Sequence, residues 1–267
     1  MRLLIDETFA TSAYTTPITA GWVSPPAGIA VEIIPRLAAS SVSPDDAALV
    51  PIAEIPALQA THEIVPAVAI VADANGAIAM RTPVRPDEVE ATPIRLLDTS
   101  STAELLARAT LRPFYGIEAT GWVHDADDPD AARAEVVIVE GAEALREPEG
   151  GYSEDLCRAW FILTAQPVVT HVLMTPRDVD ATQRQAVLRF LETARDAGVE
   201  RRREWRPALA ERERIVSARA GAFWSAQRLA LEEADRQALL ALLRAGSSGT
   251  SGSSRLNVQF YEGADAV

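Results

Sequence analysis

At 267 residues, with 48% hydrophobic and 24% charged side chains, the chain has the composition of a globular protein and room for one large domain or two lobes. Its formal charge of −13 argues against a nucleic-acid binder or a partner of anionic membrane surfaces, both of which need an electropositive face. A small anion remains admissible, because a few backbone N–H groups and one Arg can override a distant negative surface.

The first apolar run, Leu3-Leu4-Ile5, meets Asp6 and Glu7 at once, too short for a signal segment, so a cytoplasmic location is expected. Up to residue 93, short apolar runs alternate with proline and turn signals. Ala30–Ile34 and Ala47–Val50 read as strands. Ile64–Val71 reads as a buried strand with an edge or bend at Pro66, and Ala77–Met80 as a further strand. A short helix fits around Pro35–Ser40. From 94 to 175 the rhythm repeats. Ile94–Asp98 is a strand and Thr102–Leu111 a helix. Gly121–His124 and Ala134–Gly141 are strands on either side of an acidic connection. Ser153–Thr164 is an amphipathic helix and Pro167–Thr175 a strand.

Residues 178–245 are helical, with one helix stopping at Gly198 and the last ending at Gly246. The Gly/Ser-rich stretch 246–254 reads as a mobile loop, and 255–267 as a last short helix. The basic run Arg201–Arg206 is interleaved and flanked with glutamates and reads as a solvent face. The lone Cys157 forms no internal disulfide and offers no cysteine-built metal site. His62 and His124 show no ligand spacing, so no metal site is expected. Trp160 and Trp224 read as core residues.

The most informative stretch is Leu97–Ala109, LDTSSTAELLARA, where four hydroxyl side chains sit between a strand and a helix. Thr99, Ser100, Ser101 and Thr102 with the helix N–H groups suit a clamp for a ligand carboxylate. The same residues, with Glu104 following, also suit an ordinary helix cap. A second hydroxyl-rich patch spans Thr11–Thr16 and includes Tyr14 and Thr15; by composition it is a polar turn before Pro17. Arg36 can pair with a carboxylate or sit solvated on the surface. His171 lies in an apolar strand, as a general base or as a satisfied core histidine.

Several blocks, in order, resemble the menaquinone-biosynthesis family of the futalosine route, which contains chorismate dehydratase and dihydroxynaphthoate synthase. They are Tyr14-Thr-Thr-Pro17 through Gly21, Pro35-Arg36-Leu37-Ala38, Asp45–Glu54 (DDAALVPIAE), Ile64–Ile70, Leu97–Arg108, Val137–Leu145 (VIVEGAEAL), Glu154–Leu173 and Leu256–Tyr261. The family's N-terminal Asn falls on Tyr14. The Asp of its I-G-D block falls near Gly141, with Glu140 beside it. The second Ser of its Thr-Ser turn falls on Ala103, and its aromatic strand becomes Val168-Val169-Thr170-His171.

The resemblance implies an α/β fold of the type 2 periplasmic-binding-protein-like kind, a two-lobed clamp with the ligand cleft between the lobes. Lobe one is expected to comprise 1–93 plus 175–267 and lobe two 94–174. The implied activity is a hydro-lyase that removes water from chorismate to give an enolpyruvyl benzoate, with no cofactor and no metal. Tyr14, Glu140 and His171 are the candidate catalytic residues. Thr15, Arg36, Thr99, Ser100, Ser101 and Thr102 are the candidate substrate-binding residues. The alternative, favoured by the changes at Tyr14, Ala103 and Gly141, is a non-catalytic cytoplasmic binding protein for a small aromatic or cyclic carboxylate. The partner in both readings is a small anionic carboxylate, with no nucleic acid and no membrane.

Overall fold

The computed structural model of the chain describes residues 1–124, 127–247 and 256–262. In chain order its main elements are β1 (Arg2–Asp6), α1 (Ser12–Thr19), β2 (Ala30–Ile34), β3 (Ala47–Pro51), α2 (Ile55–Leu58), β4 (His62–Ala72), β5 (Ile78–Thr82), β6 (Ala91–Leu97), α3 (Ser101–Thr110), β7 (Glu118–Val123), β8 (Val136–Glu140), α4 (Ala142–Leu145), β9 (Tyr152–Asp155), α5 (Leu156–Thr164), β10 (Val168–Pro176), α6 (Ala181–Glu200), α7 (Arg202–Arg212), α8 (Ser217–Ser225), β11 (Gln227–Arg228) and α9 (Glu233–Gly246).

These strands form two sheets. The first has the order β11-β4-β10-β3-β1-β2, and the second β7-β6-β8-β5-β9. In the first, β1 is parallel to β2 and β3, and β10 runs antiparallel between β3 and β4. Both faces of this sheet are covered, so its inner strands are apolar on both sides: Leu3, Leu4, Ile5, Ala47, Ala48, Leu49 and Val50 are wholly buried. In the second sheet β6 is parallel to β7 and β8, while β5 is antiparallel to β8 and β9. Helix α6 packs on α1, and α9 on α3 and β10, so the C-terminal helices touch both lobes.

Sheet membership moves the lobe boundaries read from sequence. β5 belongs to the second sheet and β10 to the first, so the chain crosses between lobes at 73–77 and 156–167 rather than at 93/94 and 174/175. The periodicity of β5 and β10 marks them as strands but carries no sign of which sheet they join. At the first crossing a Cβ on Gly76 would lie 2.2 Å from Cys157 Sγ, so the two crossings touch and only glycine fits there.

Other expectations shift locally. No helix forms around Pro35–Ser40; a 3-10 turn spans Ala39–Ser41, and Arg36 is left-handed at φ 54. Pro66 lies within a continuous β4, where the pairing with β10 slips between Ala69 and Val65. Its carbonyl accepts from Leu231 N, and the missing proline N–H costs the ladder nothing at this bulge. In place of a terminal helix, residues 256–262 run extended along β4: Ile64 N donates to Gln259 O and Tyr261 N to Ile64 O. The stretch read as a mobile loop lies, apart from Gly246 and Ser247, outside the described residues, as do residues 263–267. Among the described residues no helix is long and apolar enough to cross a membrane.

Candidate functional site between the lobes

The carboxyl ends of β1, β6 and β8 and the start of β10 converge on the junction of the two lobes, the crevice where open α/β sheets bind ligands. Each contributes polar groups. β1 ends in Asp6, β8 in Glu140, and β10 brings Thr170 and His171. The turn after β6 supplies Thr99–Thr102.

Asp6 and His171 are both completely buried on lobe one. His171 Nε2 lies 3.0 Å from Asp6 Oδ2, and the other Asp6 oxygen accepts from Leu37 N at 2.7 Å. A carboxylate only accepts, so Nε2 carries the proton of this contact. The second ring nitrogen, Nδ1, is 3.1 Å from Thr170 Oγ1.

Across the junction, Glu140 of lobe two accepts from Ser100 N at 2.5 Å and from Ser100 Oγ at 3.0 Å. Burial raises its pKa above the ordinary carboxylate value, and Asp6 pushes the same way. The Ser100 donors and the nearby His171 pull it down without overcoming burial. Gly141 follows in a left-handed conformation at φ 64, and a Cβ there would come within 3.1 Å of Phe9 Cβ on lobe one. A side chain at 141 would strain the backbone and crowd Phe9, and the carboxyl group of this block sits at position 140. A cavity of about 10 Å³ lies between the lobes, lined by Glu140, Gly141, Thr170, Gln227 and apolar neighbours, room for one water at most.

Both readings of the hydroxyl-rich turn meet at Ser100. It is the N-cap of α3, its Oγ accepting from Ala103 N, and it also holds a carboxyl group. That group is the protein's own Glu140. Thr102 is fully buried and donates to Thr170 O at 3.2 Å, so it ties the lobes together instead of facing a ligand. Ser101 Oγ is buried with no hydrogen-bond partner among the described residues, and Thr99 is partly exposed.

Tyr14 is not a cleft residue. It is wholly buried in α1, its hydroxyl donating to Leu229 O at 2.9 Å, and burial raises its pKa far above the phenol value. Thr15 is buried beside it, donating back to Thr11 O. The patch expected as a polar turn is a helix start, where Thr11 and Thr15 donate to backbone carbonyls and Ser12 Oγ accepts from Trp224 Nε1. Arg36 is exposed and pairs at 3.1 Å with Asp98 of the other lobe; both are left-handed, at φ 54 and φ 49. This ion pair bridges the rim of the crevice. His62 is buried and bonded to Thr61 Oγ1 and Asp46 O. Among the described residues no group of three or more His, Cys, Asp or Glu is placed to hold a metal. The sequence reading missed Asp6 and Thr170. An acidic residue that ends an apolar first strand of an α/β chain was the available signal for Asp6.

Two sheets joined by two crossings, with buried polar groups at the junction, define a two-lobed clamp of the periplasmic-binding-protein-like class. The chain belongs to the family described as menaquinone biosynthesis, whose sequence model matches residues 29–248. No curated protein matches it. Among solved structures it is similar to protein AF1704 from Archaeoglobus fulgidus, at 15% identity and a TM-score of 0.64 over 92% of this chain and 96% of that one. It is also similar to the periplasmic aliphatic sulphonate binding protein SsuA from Escherichia coli, at 13% identity and a TM-score of 0.58 over 92% and 85% of the two chains. A third is the alkanesulfonate-binding protein SsuA from Xanthomonas axonopodis pv. citri bound to MOPS, at 13% identity and a TM-score of 0.56 over 92% of each chain. At these identities the likeness concerns the fold.

Proposed function

We propose that the protein is a chorismate dehydratase-like lyase of menaquinone biosynthesis, removing water from chorismate to give an enolpyruvyl benzoate between the lobes. The observation that carries this reading is a small cavity between the lobes with a half-buried carboxyl, Glu140, on one side and, on the other, Thr170 backed by the buried, Asp6-held His171. Acid and base from different lobes come together only on closure, which also excludes water.

In this reading the His171 side takes the ring proton next to the hydroxyl-bearing carbon. The ring C–H electrons form the new double bond, and the C–O bond breaks. Glu140, whose carboxyl burial biases toward the neutral form, gives the departing hydroxide its proton, and water leaves. The ring becomes aromatic, which drives the reaction forward. Ser101 Oγ and Thr99 are the donors that this geometry leaves for the substrate carboxylates, with Arg36 once opening releases it from Asp98. The cavity is far smaller than such a substrate, so binding requires the lobes to part.

The second reading, a non-catalytic binding protein for a small cyclic carboxylate, is favoured by one observation: the start of α3 is already occupied by Glu140. Both SsuA proteins are named for binding sulfonates, small anions, with the same fold. Incubation with chorismate, followed by chromatography and mass measurement, decides between the readings. A product lighter by one water and absent without protein supports the lyase. Thermal stabilisation by chorismate without any product overturns it in favour of binding.

A further inference from the structure

The geometry points to Thr170 as the hydroxyl that meets the ligand from lobe one, with Asp6 and His171 as the residues that position it and take up its proton. The inference rests on the lyase reading for its chemistry and on local geometry for everything else.

In a regular strand, adjacent side chains point to opposite faces, so neighbours such as Thr170 and His171 do not meet. Here they do. β10 pairs with β4 at Val169↔Val71 and then at His171↔Ile70, which leaves Thr170 as an extra residue in a bulge. Bulges re-aim side chains, and they recur beside active sites. This one brings Thr170 Oγ1 to 3.1 Å from His171 Nδ1 while the other ring nitrogen holds Asp6 at 3.0 Å. The result is an unbroken carboxylate–imidazole–hydroxyl chain. Asp6 and His171 are wholly buried, so only its Thr170 end reaches the cavity, opposite Glu140.

The hydroxyl has a choice of partners. Thr170 Oγ1 is also 3.3 Å from Ile70 O, and its one proton can serve either that carbonyl or Nδ1. With neutral His171, the O–H points at Nδ1 and a lone pair is left for the ligand. When a ligand proton moves to Oγ1, the hydroxyl's own proton passes to Nδ1. The imidazolium formed lies against the Asp6 carboxylate, and Thr170 remains a hydroxyl, free to donate to Ile70 O. In the dehydration the ring proton thus ends on His171 and the Glu140 proton ends in water. Opening to solvent returns a proton to Glu140 and removes one from His171. The arrangement follows the logic of hydrolase triads, with the hydroxyl relaying a proton instead of forming a bond.

The test uses Thr170→Val and Thr170→Ser in the whole chain, with folding checked by thermal midpoint. Two readouts are needed: chorismate turnover, and the ¹⁵N resonance of His171 Nδ1 in the resting protein, assigned among the three histidines with His171→Gln. The expected result is a kcat about 100-fold lower in Thr170→Val, with chorismate affinity changed only a few-fold, and near wild-type turnover in Thr170→Ser. The Nδ1 resonance should move in Thr170→Val and stay in Thr170→Ser. Undiminished kcat in Thr170→Val, or an unmoved Nδ1 resonance, overturns the relay. A wild-type protein inert on chorismate, in which Thr170→Val still moves the resonance, overturns the lyase reading alone and supports the placement of Thr170.

Discussion

Two helices start beside a half-buried carboxyl group, yet they use it differently. At α5 the acid is the cap itself: Asp155 accepts from Cys157 N and Arg158 N, and from Gly76 N in the first crossing. At α3 a hydroxyl caps the helix, and the carboxylate arrives from another strand, 40 residues away in sequence. Burial raises the pKa of both acids, that of Asp155 to about 6. The difference teaches which acid is free to work. Asp155 cannot leave without undoing a helix start and a crossing. Glu140 can change its protonation or move while Ser100 keeps α3 capped.

The largest effect that sharpens this contrast is on chemistry. Glu140→Gln keeps an acceptor for Ser100 N but has no proton to give, so chorismate turnover should fall by roughly 100-fold or more with the thermal midpoint preserved. Unchanged turnover would remove Glu140 from the reaction. Asp155→Ala should do the reverse. Three N–H groups lose their acceptor, and the chain should lose about 2 kcal/mol in a denaturant titration. A loss within error would mean that water replaces the carboxylate.

The pH dependence separates the two roles further. A carboxyl whose folded pKa is raised binds its proton more tightly in the folded state. Its contribution to stability is therefore complete below the ordinary value of 3.8 and is lost as pH rises through about 6. The wild type should thus lose stability relative to Asp155→Asn across that window. Parallel midpoint curves would show that the three N–H donors cancel the cost of burial. The smallest effect belongs to the rim. Arg36→Ala removes an exposed ion pair and should change stability by less than about 0.5 kcal/mol, measured by thermal midpoint.

Much of the fold was legible because buried strands are apolar runs and helices announce their caps. The β6–turn–α3 unit is an example, with Ser100 at the cap and Glu104 in the first turn. What periodicity could not carry is pairing. Nothing in Ile78–Thr82 tells which sheet it joins, and nothing in Val168-Val169-Thr170-His171 reveals a bulge. The same limit governs the site. His171 was visible as a polar group within an apolar strand, and Glu140 as one at the end of such a strand. Thr170 was not, because only the bulge turns it toward the cavity. Tyr14 misled for the opposite reason: a phenol among threonines reads as polar surface, while in the fold its ring fills lobe one and its hydroxyl reaches a carbonyl 215 residues away. Arg36 and Asp98 sit in left-handed conformations that their residue types do not announce.

The sheet membership of the strands also has a consequence for synthesis. Lobe two's sheet is built from one uninterrupted stretch, Ile78–Asp155, whereas lobe one's sheet needs Arg2–Ala72, then Val168–Pro176, then Gln227–Arg228. On the ribosome the N-terminal strands of lobe one emerge first and complete their sheet last, because β10, which separates β3 from β4, is translated about a hundred residues after them. During that interval the edges of β3 and β4 that β10 will join have no partner. The nascent chain's exposure to chaperones should therefore concentrate on its first 72 residues, while the contiguous lobe folds ahead of them.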